Sequence, residues 1–455
     1  MNDKLNKNVF REYDIRGIAD VDFTNDIVVK IGKSFGTYIK RKDAKSIAIS
    51  GDVRLTTPRL KASLIKGILS TGIDVIDIGI LPTPVNYYSM YCLDIDGAIQ
   101  VTGSHNPKEY NGFKISYKKS SFFGIQILEL YNLIINDDFE VGKGVLSTQN
   151  IVEKYMNMLK TKIQIDKNIK VAMDCGNAAG CITGPQSHRD SGISILELFC
   201  DIDGNFPNHH PDPTEDDNLT SLIQLVKENE VNFGVAFDGD ADRIVAIDEN
   251  GSIIRSDILI SLFANHIIGE DEHVVYDVKC SKALEEVVNS RGGIPIMWKT
   301  GHSLIKQKMK ELGVKLAGEM SGHIFFADDF FGFDDAVYVS LRLAELLSKS
   351  NKKLSELVSE IPKYFSTPEI RIECKNDEEK FQICKDTEEY FLANYDCSNI
   401  DGVRIAYENG WGLVRQSNTQ PVIVCRFEST TEIGLAEIKN DVMSKIKQFG
   451  EIDIE

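Results

Sequence analysis

The stretch SIAISGDVRLTTPRLKASLIKGILSTGIDVIDIGI, residues 46–80, decides the fold class. Its apolar runs at Ser46–Ser50 and Asp74–Ile80 are typical of buried strands, and the segment Thr57–Ser70 between them is predicted to be a helix. Two strands joined by a helix form a βαβ unit, whose strands are parallel. A further apolar run at Ala98–Thr102 predicts another strand of the same sheet.

The same alternation restarts twice farther along the chain. The first restart predicts strands at Lys170–Cys175, Ser194–Phe199 and Phe233–Phe237. The second predicts strands at Val274–Val278 and Ile294–Met297 and a helix from Asp335 with apolar residues at helical spacing. Three consecutive α/β domains with mixed sheets are therefore expected.

After Pro368 the order of elements changes. The predicted elements are a strand at Glu369–Glu373, a helix near Asp377–Ala393, strands at Gly402–Ala406, Gly412–Val414 and Val422–Phe427, and a final helix with Leu435, Ile438, Val442, Ile446 and Phe449 on one face. This order predicts a smaller C-terminal α+β domain. The expected domains span residues 1–150, 151–255, 256–366 and 367–455.

Composition excludes several classes of partner and location. The 455 residues include 51 Lys plus Arg and 69 Asp plus Glu, so the formal charge is −18, which argues against nucleic acid or acidic membranes as partners. The start, MNDKLNKNVF, lacks an apolar signal segment, and no apolar run approaches the length of a bilayer span. The nine cysteines are scattered without a C-x-x-C pair, which disfavours a disulfide framework or a thiolate zinc site. A cytoplasmic protein with reduced thiols is expected.

The first candidate site is TGSHNP, residues 102–107, directly after a predicted strand. Ser104 on such a turn lies where α/β sheets place reactive groups, so its hydroxyl could act as a nucleophile or carry a phosphoryl group. His105, Lys108 and Lys114 add cations nearby. A turn serine before proline explains the hexapeptide equally well when it is taken alone.

The second candidate is DGDADR, residues 238–243. Carboxylates of Asp238, Asp240 and Asp242 on one loop can converge as hard oxygen ligands for Mg²⁺, and without a cation their crowding would raise their pKa values. An EF-hand loop needs glycine at its sixth position, where this chain has Arg243, and the flanking segments are predicted strands. The motif therefore predicts a divalent-cation site.

The third candidate is GEMSGH, residues 318–323. Glu319 and Ser321 project to the same side of an extended loop, which suits a grip on vicinal hydroxyls. A glycine-bounded turn with a surface glutamate explains the motif nearly as well.

Two further segments offer cations. In RQSNTQP, residues 415–421, Arg415 with hydroxyl and amide donors would make a phosphate clamp, although a polar hairpin loop has the same composition. In REYDIRG, residues 11–17, Arg16 faces either a ligand or a salt-bridge partner. A serine, a metal loop and several phosphate-sized sites together indicate phosphoryl transfer on a doubly charged small molecule.

These motifs resemble the α-D-phosphohexomutase superfamily, and in particular its bacterial phosphomannomutase/phosphoglucomutase branch. The resemblance covers the whole chain and includes TGSHNPKEYNGFK (102–114), DGDADR, GEMSGH, RQSNTQP, FREYDIRG (10–17), DGNFPNHHPDP (203–213) and YDVKCS (276–281). Met320 and Asn418 favour the mannose/glucose branch over the glucosamine-phosphate mutases.

The resemblance implies four domains around a central cleft and an isomerase that uses a phosphoserine. Ser104 would carry the phosphoryl group, and Asp238, Asp240 and Asp242 would hold Mg²⁺ together with an oxygen of that group, which Arg243 would also contact. Phosphoryl transfer to a hexose 1- or 6-phosphate would give a hexose 1,6-bisphosphate, which turns over and returns its other phosphate to the serine.

The resemblance also implies the remaining roles. His105 and Lys114 are the candidate acid/base groups, and Glu319 and Ser321 would grip the sugar O3 and O4. The other expected substrate-binding residues are Arg415, Ser417, Asn418 and Thr419 at the non-reacting phosphate, with Tyr13, Arg16, Lys279, His302 and His323 lining the cleft.

Two segments depart from the family pattern. The loop Asp174–Gly180 is one residue shorter than usual, and Gln186–Ser191 replaces an expected amphipathic helix, so the packing of the second domain is in question. A phosphoglucosamine mutase, a sugar-phosphate phosphatase and a non-catalytic sensor remain alternatives, and the chain could act as a monomer or a dimer.

Overall fold

The structure is a computed structural model that describes residues 5–417 and 421–450. It has two compact units: unit 1 comprises Met1–Ser256 and Ser321–Leu357, and unit 2 comprises Asp257–Met320 and Val358–Glu455. In the described ranges, no helix is both long and apolar enough to cross a membrane.

Unit 1 begins with a mixed seven-stranded sheet. Its elements are β1 (Ile15–Ile18), α1 (Ala19–Asp22), α2 (Asn25–Lys40), β2 (Ser46–Gly51), α3 (Thr57–Leu69), β3 (Asp74–Ile80), α4 (Thr83–Cys92), β4 (Gly97–Val101), β5 (Tyr110–Tyr117), β6 (Ser120–Ser121), α5 (Ile125–Ile135) and β7 (Leu146–Thr148). The strand order is β1-β5-β4-β2-β3-β7, with β6 paired to β5. β2 is parallel to β3 and β4, as the βαβ pattern predicts, whereas β5 is antiparallel to β1 and β4.

A second sheet of unit 1 follows. Its elements are α6 (Val152–Lys162), β8 (Lys170–Asp174), α7 (Gly184–Asp190), β9 (Ser194–Leu198), α8 (Thr220–Glu228), β10 (Phe233–Phe237), β11 (Ile244–Asp248) and β12 (Ile253–Ile254). The strand order is β12-β11-β10-β8-β9, in which β10 is parallel to β8 and antiparallel to β11. The chain therefore reverses direction at the loop between β10 and β11.

The prediction that Gln186–Ser191 replaces a helix is wrong, because α7 covers most of this segment. α7 lacks an apolar stripe, but one of its polar side chains, that of His188, is buried and hydrogen-bonded at both ring nitrogens. The fully buried His188 bonds the Gly184 carbonyl through Nδ1 at 2.8 Å and the Ser340 hydroxyl through Nε2 at 2.8 Å. Tertiary hydrogen bonds therefore support a helix that the local sequence does not indicate.

The third region of the chain is divided between the units. Its elements are α9 (Ser256–Ile267), β13 (His273–Asp277), α10 (Lys282–Ser290), β14 (Ile294–Trp298), α11 (His302–Leu312), β15 (Leu316–Gly318), β16 (Ile324–Phe326), α12 (Ala336–Lys349) and α13 (Leu354–Val358). In unit 2, β13 lies between β14 and β15 and is parallel to both. β16 and α12 belong to unit 1.

The last region, within unit 2, has an antiparallel sheet. Its elements are β17 (Phe365–Ser366), β18 (Ile370–Glu373), α14 (Asp377–Asn394), β19 (Cys397–Ser398), β20 (Val403–Tyr407), β21 (Gly410–Gln416), β22 (Val422–Ser429) and α15 (Glu432–Phe449). Phe391 of α14 and Val442 and Ile446 of α15 pack with sheet residues in one apolar core. The predicted fold class, three α/β domains and a smaller C-terminal α+β domain, is confirmed. The boundaries placed after residues 150, 255 and 366 remain predictions.

Candidate active site

Ser104 follows β4 on a buried loop. Ser104 is 1% exposed, and its φ of 49° lies in the left-handed region. Non-glycine residues rarely adopt this conformation, and those that do are often found at functional sites. Its amide donates to Thr102 Oγ1 at 2.8 Å, and its Oγ donates to Asp238 Oδ2 at 2.9 Å. The strained turn therefore directs the Ser104 hydroxyl toward the DGDADR loop.

Arg54, which no sequence motif indicates, holds this loop from inside. It is 1% exposed, and its guanidinium donates to four backbone carbonyls, those of Ser104, Asn106 and Pro107 at 2.6 Å and that of Tyr110 at 3.2 Å. Asp52 Oδ2 accepts from Arg54 Nε at 3.1 Å and from Thr102 Oγ1 at 2.7 Å. A Cβ at Gly103 would lie 2.6 Å from the guanidinium carbon, so glycine is required there.

The three carboxylates of the DGDADR loop are fully buried between β10 and β11. Asp238 Oδ1 accepts from the amides of Asp242 at 3.1 Å and Arg243 at 3.2 Å, which closes the turn. Asp240 Oδ2 accepts from Thr83 Oγ1 at 2.5 Å. Burial and the negative charges of Asp240 and Asp242 raise the pKa of Asp238 well above its usual range.

Lys114 brings a buried cation to these carboxylates from β5. Its ammonium lies 2.7 Å from Asp240 Oδ2 and is also ion-paired with Asp242 Oδ2. Burial alone would lower the pKa of Lys114, but the charges of Asp240, Asp242 and Asp238 raise it above its ordinary value. Conversely, burial would raise the pKa of Asp240, but Lys114 and hydrogen bonds bring it below its usual range.

The donor set fits a divalent cation. One carboxylate oxygen from each of Asp238, Asp240 and Asp242 lies within 4.8 Å of the others. Asp240 Oδ1 and Asp242 Oδ1 are buried oxygens without a hydrogen-bond partner among the residues that the structure describes. Buried oxygens of this kind are costly unless a cation or a donor reaches them, and hard oxygen donors suit Mg²⁺.

Three further predicted residues lie around this cluster in unit 1. His105 Nδ1 is 3.3 Å from Ser104 Oγ, and burial with the positive charges of Arg243 and Arg16 lowers its pKa well below the ordinary value. Arg243 Nε donates to His323 Nε2 at 3.0 Å. His323 was predicted to bind substrate, and it lies buried beside the metal loop, with Nδ1 3.5 Å from Asp242 Oδ1.

The N-terminal strand also reaches this part of unit 1. β1 pairs with β5 so that Arg16 lies opposite Gly112, and Arg16 forms an ion pair with Asp14. Tyr13 is half-buried just before this strand. The positive charge of Arg16 is close enough to contribute to the lowered pKa of His105, whereas Lys108 is exposed to solvent.

In unit 2, the carboxylate of Glu319, which follows β15, lies against the N-terminus of α11. Its Oε1 accepts from the amide of Gly301, the residue before α11, and His302 is the first residue of that helix. A carboxylate at a helix N-terminus is stabilised by the helix dipole. Ser321, the other half of the predicted sugar grip, belongs to unit 1.

Lys279 is a buried cation of unit 2. Its ammonium lies 3.2 Å from Glu369 Oε2 and 3.8 Å from Asp277 Oδ2. Burial alone would lower the pKa of Lys279, but these two carboxylates raise it, with smaller effects of Arg415 and Glu319. The predicted residues Lys279, Glu319 and Arg415 therefore lie near one another.

The structure describes two of the four residues of the predicted phosphate clamp, Arg415 and Ser417. Arg415, at the end of β21 and 5% exposed, donates through Nε to Asp401 Oδ2 at 2.9 Å. The Ser417 carbonyl accepts from Lys380 Nζ at 2.9 Å, and Lys380 is a buried cation that the sequence analysis missed. Asn418 and Thr419 lie outside the described residues.

Comparison with protein families finds a match for each of four consecutive regions of the chain. The phosphoglucomutase/phosphomannomutase alpha/beta/alpha domains I, II and III match residues 7–140, 153–251 and 255–365, and the C-terminal domain of the same family matches residues 369–445. The chain belongs to this family. The resemblance drawn from the sequence motifs is thereby confirmed.

Individual relatives agree along their whole length. The phosphomannomutase/phosphoglucomutase of Pseudomonas aeruginosa is 41% identical over 446 residues, which cover 97% of this chain and 96% of that protein. The phosphoglucomutase of Neisseria meningitidis serogroup A is 36% identical, with 97% of both chains covered. The crystal structure of a phosphoglucomutase/phosphomannomutase family protein from Burkholderia thailandensis superposes with a TM-score of 0.93 at 36% identity, covering 99% of this chain and 100% of that one.

The fold extends to more distant mutases. A crystal structure of an N-acetylglucosamine-phosphate mutase has a TM-score of 0.58 at 13% identity, which shows a shared fold and no more. Within the family, the prediction of a mutase of the phosphomannomutase/phosphoglucomutase kind, an isomerase, is confirmed. The buried acidic cluster able to hold a metal is also present.

Proposed function

We propose that this chain interconverts the 1- and 6-phosphates of mannose and glucose through a phosphorylated Ser104 and a hexose 1,6-bisphosphate. The observation that carries the proposal is the buried Ser104 Oγ, 2.9 Å from Asp238 Oδ2 in a cluster of three carboxylates. The names of the Pseudomonas and Neisseria relatives support both sugars. The scattered cysteines are consistent with the cytoplasm as its place of action.

At the phosphoryl group, each proposed catalytic role belongs to a residue of unit 1. Ser104 Oγ takes a phosphoryl group from the bisphosphate, so an O–P bond forms at the serine and one breaks at the sugar oxygen. Arg243 offsets negative charge on the transferred group, and His105 Nδ1, 3.3 Å from Ser104 Oγ, is placed to accept or return a proton. Lys114 adds a second buried positive charge. A bound Mg²⁺, held by Asp238, Asp240 and Asp242, with Ser104 as a further ligand, would supply further positive charge to the phosphoryl oxygens.

At the sugar, Glu319 and Ser321 bind O3 and O4. Glucose and mannose differ only at C2, so this grip accepts both sugars. An axial O4, as in galactose 1-phosphate, would leave the Glu319 carboxylate without its partner. Loss of a hydrogen bond to a charged group costs about 1.5–3 kcal/mol, which corresponds to roughly tenfold or more in kcat/KM.

At the non-reacting phosphate, Arg415 and Ser417 bind oxygens together with Asn418 and Thr419. The remaining proposed substrate contacts are Tyr13, Arg16, Lys279, His302 and His323. Buried cations such as Lys279 and Arg415 provide focused positive charge in a chain whose net charge is −18.

A coupled mutase assay tests the proposal. Mannose, glucose, glucosamine and galactose 1-phosphates are compared at the same Mg²⁺ concentration with a trace of hexose 1,6-bisphosphate. We expect turnover of the mannose and glucose phosphates, at least about tenfold lower kcat/KM for galactose 1-phosphate, and no turnover with Ser104→Ala.

Lys108→Ala is the matched control, because Lys108 is exposed on the same loop as Ser104. It should retain the activity of the parent protein. Net release of inorganic phosphate without isomerisation would identify a phosphatase instead. A clear preference for glucosamine 1-phosphate would move the chain to the glucosamine branch.

A further inference from the structure

The loop that carries Lys279, residues 278–281, is buried at the carboxyl end of β13. Val278 and Cys280 are at most 1% exposed, and Lys279 is 5% exposed. Buried backbone carbonyls need hydrogen-bond donors, and a loop has no neighbouring strand to supply them. Ligands bind at this end of parallel strands, so the groups that hold the carbonyls of this loop decide where Lys279 lies.

Arg404 of β20 bonds two of these carbonyls. Its Nη1 donates to the carbonyl of Val278 at 3.0 Å and contacts Sδ of Met297 at 3.0 Å. Its Nη2 donates to the carbonyl of Cys280 at 3.3 Å. A guanidinium presents its donors in a rigid planar fork, which a single ammonium does not. Arg404 therefore fixes the backbone on both sides of Lys279.

The carbonyl of Lys279 itself accepts from Nη1 of Arg426, which lies in β22. Arg426 is 2% exposed, and the same nitrogen donates to Asp257 Oδ2 at 3.0 Å. That carboxylate oxygen also accepts from the amide of Ser281 at 3.0 Å. Two arginines of the antiparallel sheet therefore bond three consecutive carbonyls of the loop.

Trp411 of β21 packs against both arginines. The guanidinium carbon of Arg404 lies 3.9 Å from the centroid of the indole ring, and that of Arg426 lies 5.9 Å from it. The indole Nε1 donates to Glu428 Oε1 at 2.7 Å, and the same oxygen accepts from the amide of Lys282 at 2.9 Å. Because an indole face attracts a guanidinium, this stacking restricts the orientation of Arg404.

We propose that Arg404 is a positioning residue that, together with Arg426, places Lys279 for substrate binding. Neither arginine has a role in the function proposed above. The ammonium of Lys279 is held 3.2 Å from Glu369 Oε2, and the arginines fix the backbone at the other end of the side chain. A cation fixed at both ends loses little freedom when it binds an anion. The inference rests on the proposed function, in which Lys279 contacts the substrate.

Hydrogen exchange of peptides that cover residues 276–284 tests the positioning part without any activity. Arg404→Met removes the donors to the carbonyls of Val278 and Cys280, so the loop should exchange at least about tenfold faster. Arg404→Lys keeps the positive charge without the fork, so a smaller increase is expected. Arg291→Met removes an exposed arginine of the same unit and should exchange like the parent protein.

Parent-like exchange of this loop in Arg404→Met would overturn the inference. If Arg404→Met does not fold, parent-like exchange in Arg404→Lys would overturn it in the same way.

Kinetics with glucose 1-phosphate test the link to the substrate. Loss of a binding contact raises KM more than it lowers kcat, so Arg404→Met should raise KM about tenfold and change kcat less than about threefold. Lys279→Ala should raise KM at least as much. In that background Arg404→Met should add less than about twofold, because both changes act through one ammonium.

A purely structural role of Arg404 would give a different result. The effects of Arg404→Met and Lys279→Ala on KM would then multiply, and this outcome would overturn the inference. A parent-like KM in Lys279→Ala would also overturn it, because Lys279 would then not contact the substrate. Absence of mutase activity in the parent protein would instead refute the proposed function, and the exchange of the loop would still decide whether Arg404 fixes it.

Discussion

Replacement of Arg54 by methionine should destabilise the folded conformation of the Ser104 loop. Methionine keeps much of the apolar stem but removes the donors to the carbonyls of Ser104, Asn106, Pro107 and Tyr110. It also leaves the buried Asp52 without its cation, since both side chains are 1% exposed. Both losses act on the same loop, which carries the proposed phosphoryl acceptor.

The size of the effect follows from these contacts. Removal of one partner from a buried ion pair costs about 3–5 kcal/mol, and each carbonyl left without a donor adds about 1–3 kcal/mol where water does not reach it. Since 1.36 kcal/mol corresponds to a factor of ten, the loop would open at least about a hundredfold more often. We expect kcat to fall at least tenfold.

Hydrogen exchange of peptides that cover residues 102–112, followed by mass spectrometry, measures the opening directly. Tryptophan fluorescence would not report it, because Trp298 and Trp411 both lie in unit 2. Arg41→Met is the control, since Arg41 is a partly exposed arginine of unit 1 paired with Asp138 and Glu140. Parent-like exchange and kcat in Arg54→Met would refute the role of Arg54.

Three further outcomes are expected. Asp240→Asn removes a ligand charge at nearly constant shape, so the Mg²⁺ concentration for half-maximal rate should rise about tenfold or more; full activity of the parent protein in excess EDTA would contradict the metal assignment. Burial lowers the pKa of His188 from 6.5 to about 4, so below pH 6.5 the unfolded chain binds a proton that the folded chain does not. Unit 1 should therefore lose up to about 3 kcal/mol of stability between pH 6.5 and 4, a slope that His188→Asn abolishes in hydrogen exchange of α7. Arg415→Ala should raise KM about tenfold and increase release of inorganic phosphate per turnover; parent-like kinetics would show that the phosphate clamp lies elsewhere.

The regular parts of the fold are evident from the sequence because buried strands need continuous apolar runs. β3 and β10 have the predicted bounds, Asp74–Ile80 and Phe233–Phe237. β5 is less evident, because its sequence YNGFKISY mixes apolar residues with the buried Lys114 and Asn111. A charged residue inside a strand is accommodated only by partners that the local sequence does not reveal.

The residues of the site also fall into two groups, those that a sequence motif reveals and those that only a contact in the structure reveals. The motifs contain Ser104 and the three aspartates, since these residues lie together in the chain. Arg54 was missed, because it acts through a contact with the loop 50 residues later in the chain. Buried polar side chains without a motif become interpretable only when their partners are known.

Intact-mass spectrometry of the purified protein after incubation with a hexose 1,6-bisphosphate tests the central claim most directly. Ser104 is the proposed carrier, so a population heavier by one phosphoryl group should appear, and fragmentation should place that group within residues 102–107. The heavier population should be absent in Ser104→Ala and present in Lys108→Ala. A phosphoryl group that persists in Ser104→Ala, or none in the parent protein under turnover conditions, would contradict the account.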